Sequence, residues 1–100
     1  MSEAFSLTLC VQLWPQPGQE AALIQFEDQV LALIPRHGGT VLQRVRRVDD
    51  GEEAFETHVI TFPDQSAFES YMHDPERLAL LAVREIAIAR TVSTPVVLVR

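Results

Sequence analysis

Residues Phe5 to Trp14 alternate in character: Phe5, Leu7, Leu9, Val11 and Leu13 fall on one side, and Ser6, Thr8, Cys10, Gln12 and Trp14 on the other. A period of two with one apolar face predicts a β-strand, which Pro15, Pro17 and Gly18 bring to an end. From Gln19 the period lengthens. Leu23, Phe26, Val30 and Leu33 recur at steps of three and four, with Glu20, Glu27 and Asp28 between them, predicting an amphipathic helix with those acids outside. Pro35 cannot donate to Leu31, so the helix ends or kinks near Ile34, and Gly38 and Gly39 supply the positive-φ positions of its exit.

A second strand is predicted over Thr40 to Val48 and a third over Glu53 to Phe62. The Asp50-Gly51 pair between them signals a two-residue hairpin and makes the two strands antiparallel neighbours. Pro63 stops the third strand, and Asp64 caps a short helix that turns Ala67, Phe68, Tyr71 and Met72 inward. Asp74-Pro75-Glu76 starts another helix with a side-chain cap, a proline in the first turn and an acid at the positive end of the dipole. It is predicted to run to about Arg90. Its apolar residues, from Leu78 to Ile88, occupy most of the circumference, so more than one side must be covered. Thr91 to Val99 is the last strand, and Pro95 restricts it to an edge or a bulge.

The order β-α-β-β-α-α-β, with a hairpin joining two βαβ halves, is the split ferredoxin-like topology: a four-stranded antiparallel sheet with helices on one face. One such α+β domain is expected to occupy residues 1–100. That fold hosts many functions, and missing chemistry removes several of them. Cys10 is the only cysteine, so an iron–sulfur cluster, a paired-cysteine metal site and an intrachain disulfide are all excluded. Neither Lys nor Asn occurs, which rules out a Schiff-base or P-loop lysine and the Asn-dependent acylphosphatase mechanism. The net charge of −6, from 14 acids against 8 arginines, is the wrong sign for a phosphate-binding surface, so no nucleic-acid partner is expected. Met1-Ser2-Glu3-Ala4 lacks a basic and apolar leader, and no apolar run reaches membrane-spanning length, so a cytoplasmic protein with no membrane partner is expected.

Four places spread along the chain carry a family likeness. They are the first strand followed by Pro17-Gly18 and an acidic helix; the His37-Gly38-Gly39 exit; the Phe62-Pro63-Asp64 step leading to Ala67-Phe68; and Asp74-Pro75 before the helix holding Arg84. In this order and spacing the chain resembles the dimeric α+β barrel superfamily. Its members include antibiotic-biosynthesis-type monooxygenases, muconolactone-isomerase-like proteins and haem-degrading enzymes; the likeness is greatest to small domain-of-unknown-function members. The resemblance implies a homodimer whose two sheets face each other around a barrel. The second face of the first strand fits that expectation, because Ser6, Thr8, Cys10, Gln12 and Trp14 include no charge.

Candidate chemistry centres on His58, with Glu56 two residues earlier on the same side of the third strand. A carboxylate beside an imidazole can form a general base, whereas a cross-strand ion pair of Glu56 with Arg44 or Arg46 would make the same residues structural. Gln12, Trp14, Phe62 and Arg84 are the candidate ligand-binding residues: two aromatic walls, a hydrogen-bonding amide and a cation for an oxyanion, or alternatively for a neighbouring acid. The expected pocket lies between the open face of the sheet and the helices, near Trp14 and Phe62. His37 is placed to cap a helix C-terminus. His73 is the one position that the resemblance would offer to haem, but haem-binding members also use an Asn. Positions 37, 58 and 73 have no metal-ligand spacing, so no haem, flavin or transition-metal cofactor is expected. Two functions remain: a cofactor-independent monooxygenase- or isomerase-like enzyme acting on a small apolar or aromatic metabolite, and a non-catalytic binding or assembly module.

Overall fold

Strand β1, Leu7–Pro15, lies in the middle of a four-stranded sheet of order β2-β3-β1-β4. The computed structural model describes residues 6–99; Phe5 and the Met1-Ser2-Glu3-Ala4 segment lie outside the described residues. Strands β2 (Thr40–Arg46), β3 (Glu56–Phe62) and β4 (Ile88–Pro95) complete the antiparallel sheet. Helices α1 (Glu20–Leu31), α2 (Gln65–Met72), α3 (Pro75–Leu78) and α4 (Leu81–Ala87) supply the second layer. This is the α+β, ferredoxin-like arrangement read from the sequence. No helix among the described residues is long and apolar enough to cross a membrane.

The alternation in β1 determines which side meets the helices. Leu9 and Leu13 are buried, and register pairs Leu9 with Ile60, Val11 with His58 and Leu13 with Glu56. One core cluster gathers Leu9, Ile34, Ile60, Phe62 and Tyr71; a second gathers Leu13, Leu23, Phe26, Val30 and Ile88. Val11 packs against both, so the seam between the clusters runs over the middle of β1, directly opposite His58.

Several boundaries depart from expectation for local reasons. The loop between β2 and β3 spans residues 47–55 and is not a two-residue hairpin. The Asp49 side chain accepts from Gly51 N–H at 3.0 Å, a local turn that competes with strand pairing, and Gly51 does not adopt positive φ. Phe55 N–H is drawn instead to Leu13 C=O at 2.9 Å, across the neighbouring strand. Helix α1 stops at Leu31, and a separate 3-10 turn, Ile34–His37, accommodates Pro35 in its first turn. The expected long helix after Asp74 is broken into α3 and α4, and β4 begins at Ile88. Gln16 N–H captures Ala87 C=O at 2.9 Å, and Ile88 enters the core beside Pro15 across a bulge. The apolar circumference of α3 and α4 is accordingly not covered within the chain: Leu78, Leu81, Val83 and Ile86 are exposed. Pro95 ends β4, an edge strand, and residues 96–99 continue beyond it without strand structure.

Of the two exit glycines, only Gly38 uses positive φ, at +77°. Gly39 is required for space: a Cβ there would stand 2.7 Å from Ile34 Cγ2 and 2.8 Å from the Phe62 ring. Phe62 cannot recede, because it is buried edge-on to Phe68 at 5.6 Å and against Tyr71 at 5.5 Å. Gly39→Ala is therefore expected to cost about 1–3 kcal/mol of stability, the usual range for forced overpacking, read as a lower urea midpoint with an unchanged slope.

Candidate functional site

Where the two core clusters meet, the layer between sheet and helices encloses a cavity of about 180 Å³. Its floor is formed by β1 and β3 with Val11, His58 and Ile60, its edge by Thr91 and Ser93 of β4, and its roof by side chains of all four helices. The lining is mainly apolar, with Phe26, Phe68 and Tyr71 among it, and the polar groups that reach it include Glu27, His58, Arg77 and Arg84.

The β3 alternation that buries Ile60 and Phe62 also drives Glu56 and His58 under the helices, where they are 0% and 1% exposed. Four N–H donors converge on the Glu56 carboxylate. Arg44 grips it with Nε at 2.9 Å and Nη2 at 3.1 Å, Arg46 Nε reaches Oε2 at 2.7 Å, and His58 Nε2 lies 2.7 Å from Oε1. Both arginines come from register neighbours on β2, because Arg44 pairs with His58 and Arg46 with Glu56. Burial alone would raise the Glu56 pKa, but hydrogen bonds from His58, Arg44 and Arg46 outweigh it and lower the group to about 2. Glu56 is thus an anion that only accepts, so His58 donates to it from Nε2, and in the neutral imidazole Nδ1 is then the nitrogen with the lone pair.

Nδ1 faces Glu27 of α1, with Oε1 3.7 Å away, too far for a direct hydrogen bond. Glu27 is itself buried, and its pKa is raised, first by burial and further by the nearby Glu56, although His58 and Arg44 pull the other way. The arrangement is a relay: a fixed anion orients an imidazole, and the free nitrogen shares the cavity wall with a carboxyl that tends to keep its proton. It can remove a proton from a bound molecule and return one.

The structure divides the residues singled out from the sequence into two groups. His58, Glu56, Phe62 and Arg84 lie on the helix side of the sheet; His58 and Arg84 line the cavity, Glu56 stands behind His58, and Phe62 is packed in the adjoining core. Gln12 and Trp14 lie on the opposite face, in register with Thr57 and Arg90. The expected pocket between the open face and the helices therefore does not form in the chain, because the helices cover the other side. Trp14 donates from Nε1 to Glu52 C=O at 3.0 Å, and the Arg90 guanidinium stacks 4.4 Å above its ring. Arg84 takes neither an acid nor a terminal carboxylate within the described residues; its Nη2 donates to Thr91 Oγ1 at 2.8 Å. His37 turns not to a helix carbonyl but to Asp74, 2.7 Å from Nε2, and it is His73 that donates to a carbonyl, Glu69 C=O at 2.9 Å. His73 is exposed and remote from the cavity lining.

Arg77 was not singled out from the sequence, and Glu27 was expected on the outer face of α1 but is buried against the cavity. Glu27 had a signal: it stands four residues after Leu23 and three before Val30, on the inward stripe of α1. A carboxylate on an apolar stripe is informative because such groups are rarely buried without a partner. Arg77 sits one turn into a short helix with no periodicity to place it.

No protein-family model matches the sequence, and no curated protein does. Solved structures do resemble it. The Pseudomonas aeruginosa protein PA3566 matches with a TM-score of 0.76 at 17% identity, over 99% of this chain and 100% of its own. SnoaB, a cofactor-independent oxygenase from Streptomyces nogalater, matches with 0.70 at 12% identity, over 95% and 94%. A dimeric protein of ferredoxin-like fold from Bacteroides fragilis matches with 0.69 at 11% identity, over 91% and 94%. At these identities the likeness is one of fold, and it bears out the ferredoxin-like α+β arrangement.

Proposed function

We propose that this chain is a cofactor-independent acid/base catalyst acting on a small, largely apolar or aromatic metabolite in the cavity between sheet and helices. The observation that carries the reading is the buried Glu56–His58 pair with Nδ1 of His58 open toward Glu27 and the cavity. His58 Nδ1 takes a proton from a weakly acidic C–H or O–H of the substrate. Glu56 stabilises the resulting imidazolium, and Glu27 protonates the substrate anion elsewhere or holds it by a hydrogen bond. Returning the proton to a different atom is an isomerisation. With dioxygen as co-substrate, the same anion forms a carbon–oxygen bond to dioxygen, which is reduced to the peroxide level and takes up the proton to give a hydroperoxide, an outcome suggested by the name of the Streptomyces neighbour.

Size restricts the substrate. About 180 Å³ is close to the roughly 150 Å³ of a cavity that accepts benzene, and below the roughly 300 Å³ at which pockets for larger ligands begin. A single ring fits. A filled interior would have favoured a binding or assembly module; an apolar cavity with convergent polar groups favours catalysis. The test is solvent-deuterium incorporation into a panel of one-ring lactones and phenols, followed by mass spectrometry. Incorporation that disappears in His58→Ala supports the reading, and equal incorporation with both proteins, or none with any compound, contradicts it.

The same reading includes a homodimer formed through the open sheet face. Thr8, Cys10, Gln12, Thr57, Val59, Thr61 and Val92 point there by register, and Arg90, stacked on Trp14, is the only charged residue among β1, β3 and β4 positions on that side. The Bacteroides neighbour is described as dimeric. Sedimentation at micromolar concentration is expected to give a dimer, consistent with an interface above about 1,200 Å² in total; a stable monomer at that concentration contradicts it.

A further inference from the structure

The arginines of this chain divide sharply by partner. Arg36 pairs with Asp74 and Glu76, Arg44 with Asp28 and Glu56, Arg46 with Glu56, and Arg47 with Asp49. Arg90, stacked on Trp14 at the open sheet face, has no carboxylate within 4.0 Å among the described residues, and neither have Arg77 and Arg84, although the chain carries 14 acids for 8 arginines. Arg77 and Arg84 line the cavity.

Neither guanidinium is left in open water. Arg77 lies 5.1 Å over the Tyr71 ring, and its Nη1 reaches Met72 C=O at 3.4 Å. Its Nε is buried and is the one side-chain nitrogen or oxygen among the described residues that is both buried and without a hydrogen-bond partner. Buried donors are nearly always satisfied, and an exception in a cavity wall points to a missing acceptor. Arg84 spends only Nη2, on Thr91. Two partly buried guanidinium groups on adjacent helices, each with donors to spare, form an acceptor-seeking roof above an apolar chamber. His58 lies across the cavity on the sheet floor, and Glu27 stands on α1, near enough to Arg77 for their charges to interact.

We propose that the ligand of this cavity is a one-ring molecule bearing a carboxylate, with the carboxylate held by Arg77 and Arg84 and the ring against Phe26, Ile60 and Phe68. This deepens the reading above by naming the substrate class of the same cavity, and it rests on that reading only for the chemistry, not for the binding. Guanidinium groups match a carboxylate geometrically, and such charge-assisted hydrogen bonds are stronger than neutral ones. The anchor also sets orientation: a carboxylate under the helices directs the far side of a ring toward the sheet floor, where Nδ1 of His58 waits. The anion supplies the charge that the cavity lacks.

Benzoate and benzamide, nearly equal in shape and different in charge, test this at pH 7 by titration with amide NMR detection. Benzoate is expected to bind saturably, to shift the amides of Tyr71, Arg77, Arg84 and Thr91, and to bind at least tenfold tighter than benzamide. Arg77→Gln and Arg84→Gln should each weaken benzoate at least tenfold while leaving benzamide within twofold. Equal affinity for the two compounds, no binding of benzoate, or variants that lose both compounds alike would overturn the proposal; the ligand pair decides it even if a variant fails to fold. A protein that binds benzoate through its arginines but exchanges no protons would retire the catalytic reading and sustain this one, and a protein that exchanges protons on neutral phenols but ignores benzoate would do the reverse.

Discussion

Replacing His58 by alanine is expected to lower solvent-proton exchange into a bound one-ring substrate by at least about 100-fold, the lower range of what a positioned general base contributes. Among the described residues, the imidazole alone combines a ring nitrogen facing the cavity with a fixed anion behind it: Nε2 is committed to Glu56 at 2.7 Å, and Nδ1 is not hydrogen-bonded to Glu27 at 3.7 Å. Glu56 cannot substitute. Its carboxylate, lowered to about 2, is far too weak a base near neutral pH, and its oxygens are occupied by two arginines. Glu27 is the better second candidate, because its raised pKa keeps more basicity in the carboxylate form. Glu27→Gln is accordingly expected to reduce return of the proton while leaving its first abstraction, so the ratio of exchange to net conversion should rise. Rates with circular dichroism spectra for each variant check both outcomes.

Glu56→Ala is expected to be the most destabilising single change in the protein. It leaves the buried His58 N–H without an acceptor and takes their shared anion from Arg44 and Arg46, whose side chains are 24% and 42% exposed, a loss of about 3 kcal/mol. Against a total stability of roughly 5–15 kcal/mol, that is a large share, and a domain of this size should melt at least about 12 °C lower. The same group makes stability pH-dependent. Its folded-state pKa is depressed from 4.5 to about 2, so its contribution is present above pH 4.5 and is lost as pH falls toward 2, amounting to about 3 kcal/mol. Glu27 acts with the opposite sign. Its pKa is raised, so its contribution is full below 4.5 and is lost as pH rises through the folded value. Urea midpoints at pH 3, 5 and 7 should show wild type weakening on the acid side. In Glu56→Gln that acid limb should flatten, and in Glu27→Gln the decline at higher pH should flatten.

What could be read in advance follows from which forces are local. The alternation of β1, the cap at Asp64 and the period of α1 are short-range patterns, and each element formed there, although α1 stops at Leu31 and not near Ile34. The early end of α4 at Ala87 was not legible, because a tertiary bond from Gln16 to Ala87 decides it. Nor was the hairpin loop, where the Asp49 side chain and Leu13 C=O outcompete a tight turn. For the site, spacing placed Glu56 and His58 on one side of β3. Spacing within a strand cannot say which side of the sheet that is, since a one-residue change of register reverses it. Register with Val11 and Leu13, both on the helix side, separated His58 from Gln12 and Trp14. Arg77 had no sequence signal, because its importance comes from an unsatisfied donor that exists only in the packed chain.

The central claim is that His58 is held as a base with its free nitrogen toward the cavity. Nitrogen-15 shifts of the His58 imidazole at pH 7 test it without any knowledge of the substrate. The account predicts a protonated Nε2 and an unprotonated Nδ1, with the Nε2 proton displaced downfield by Glu56 and returning toward an ordinary position in Glu56→Gln. A proton resident on Nδ1, with or without one on Nε2, would contradict it.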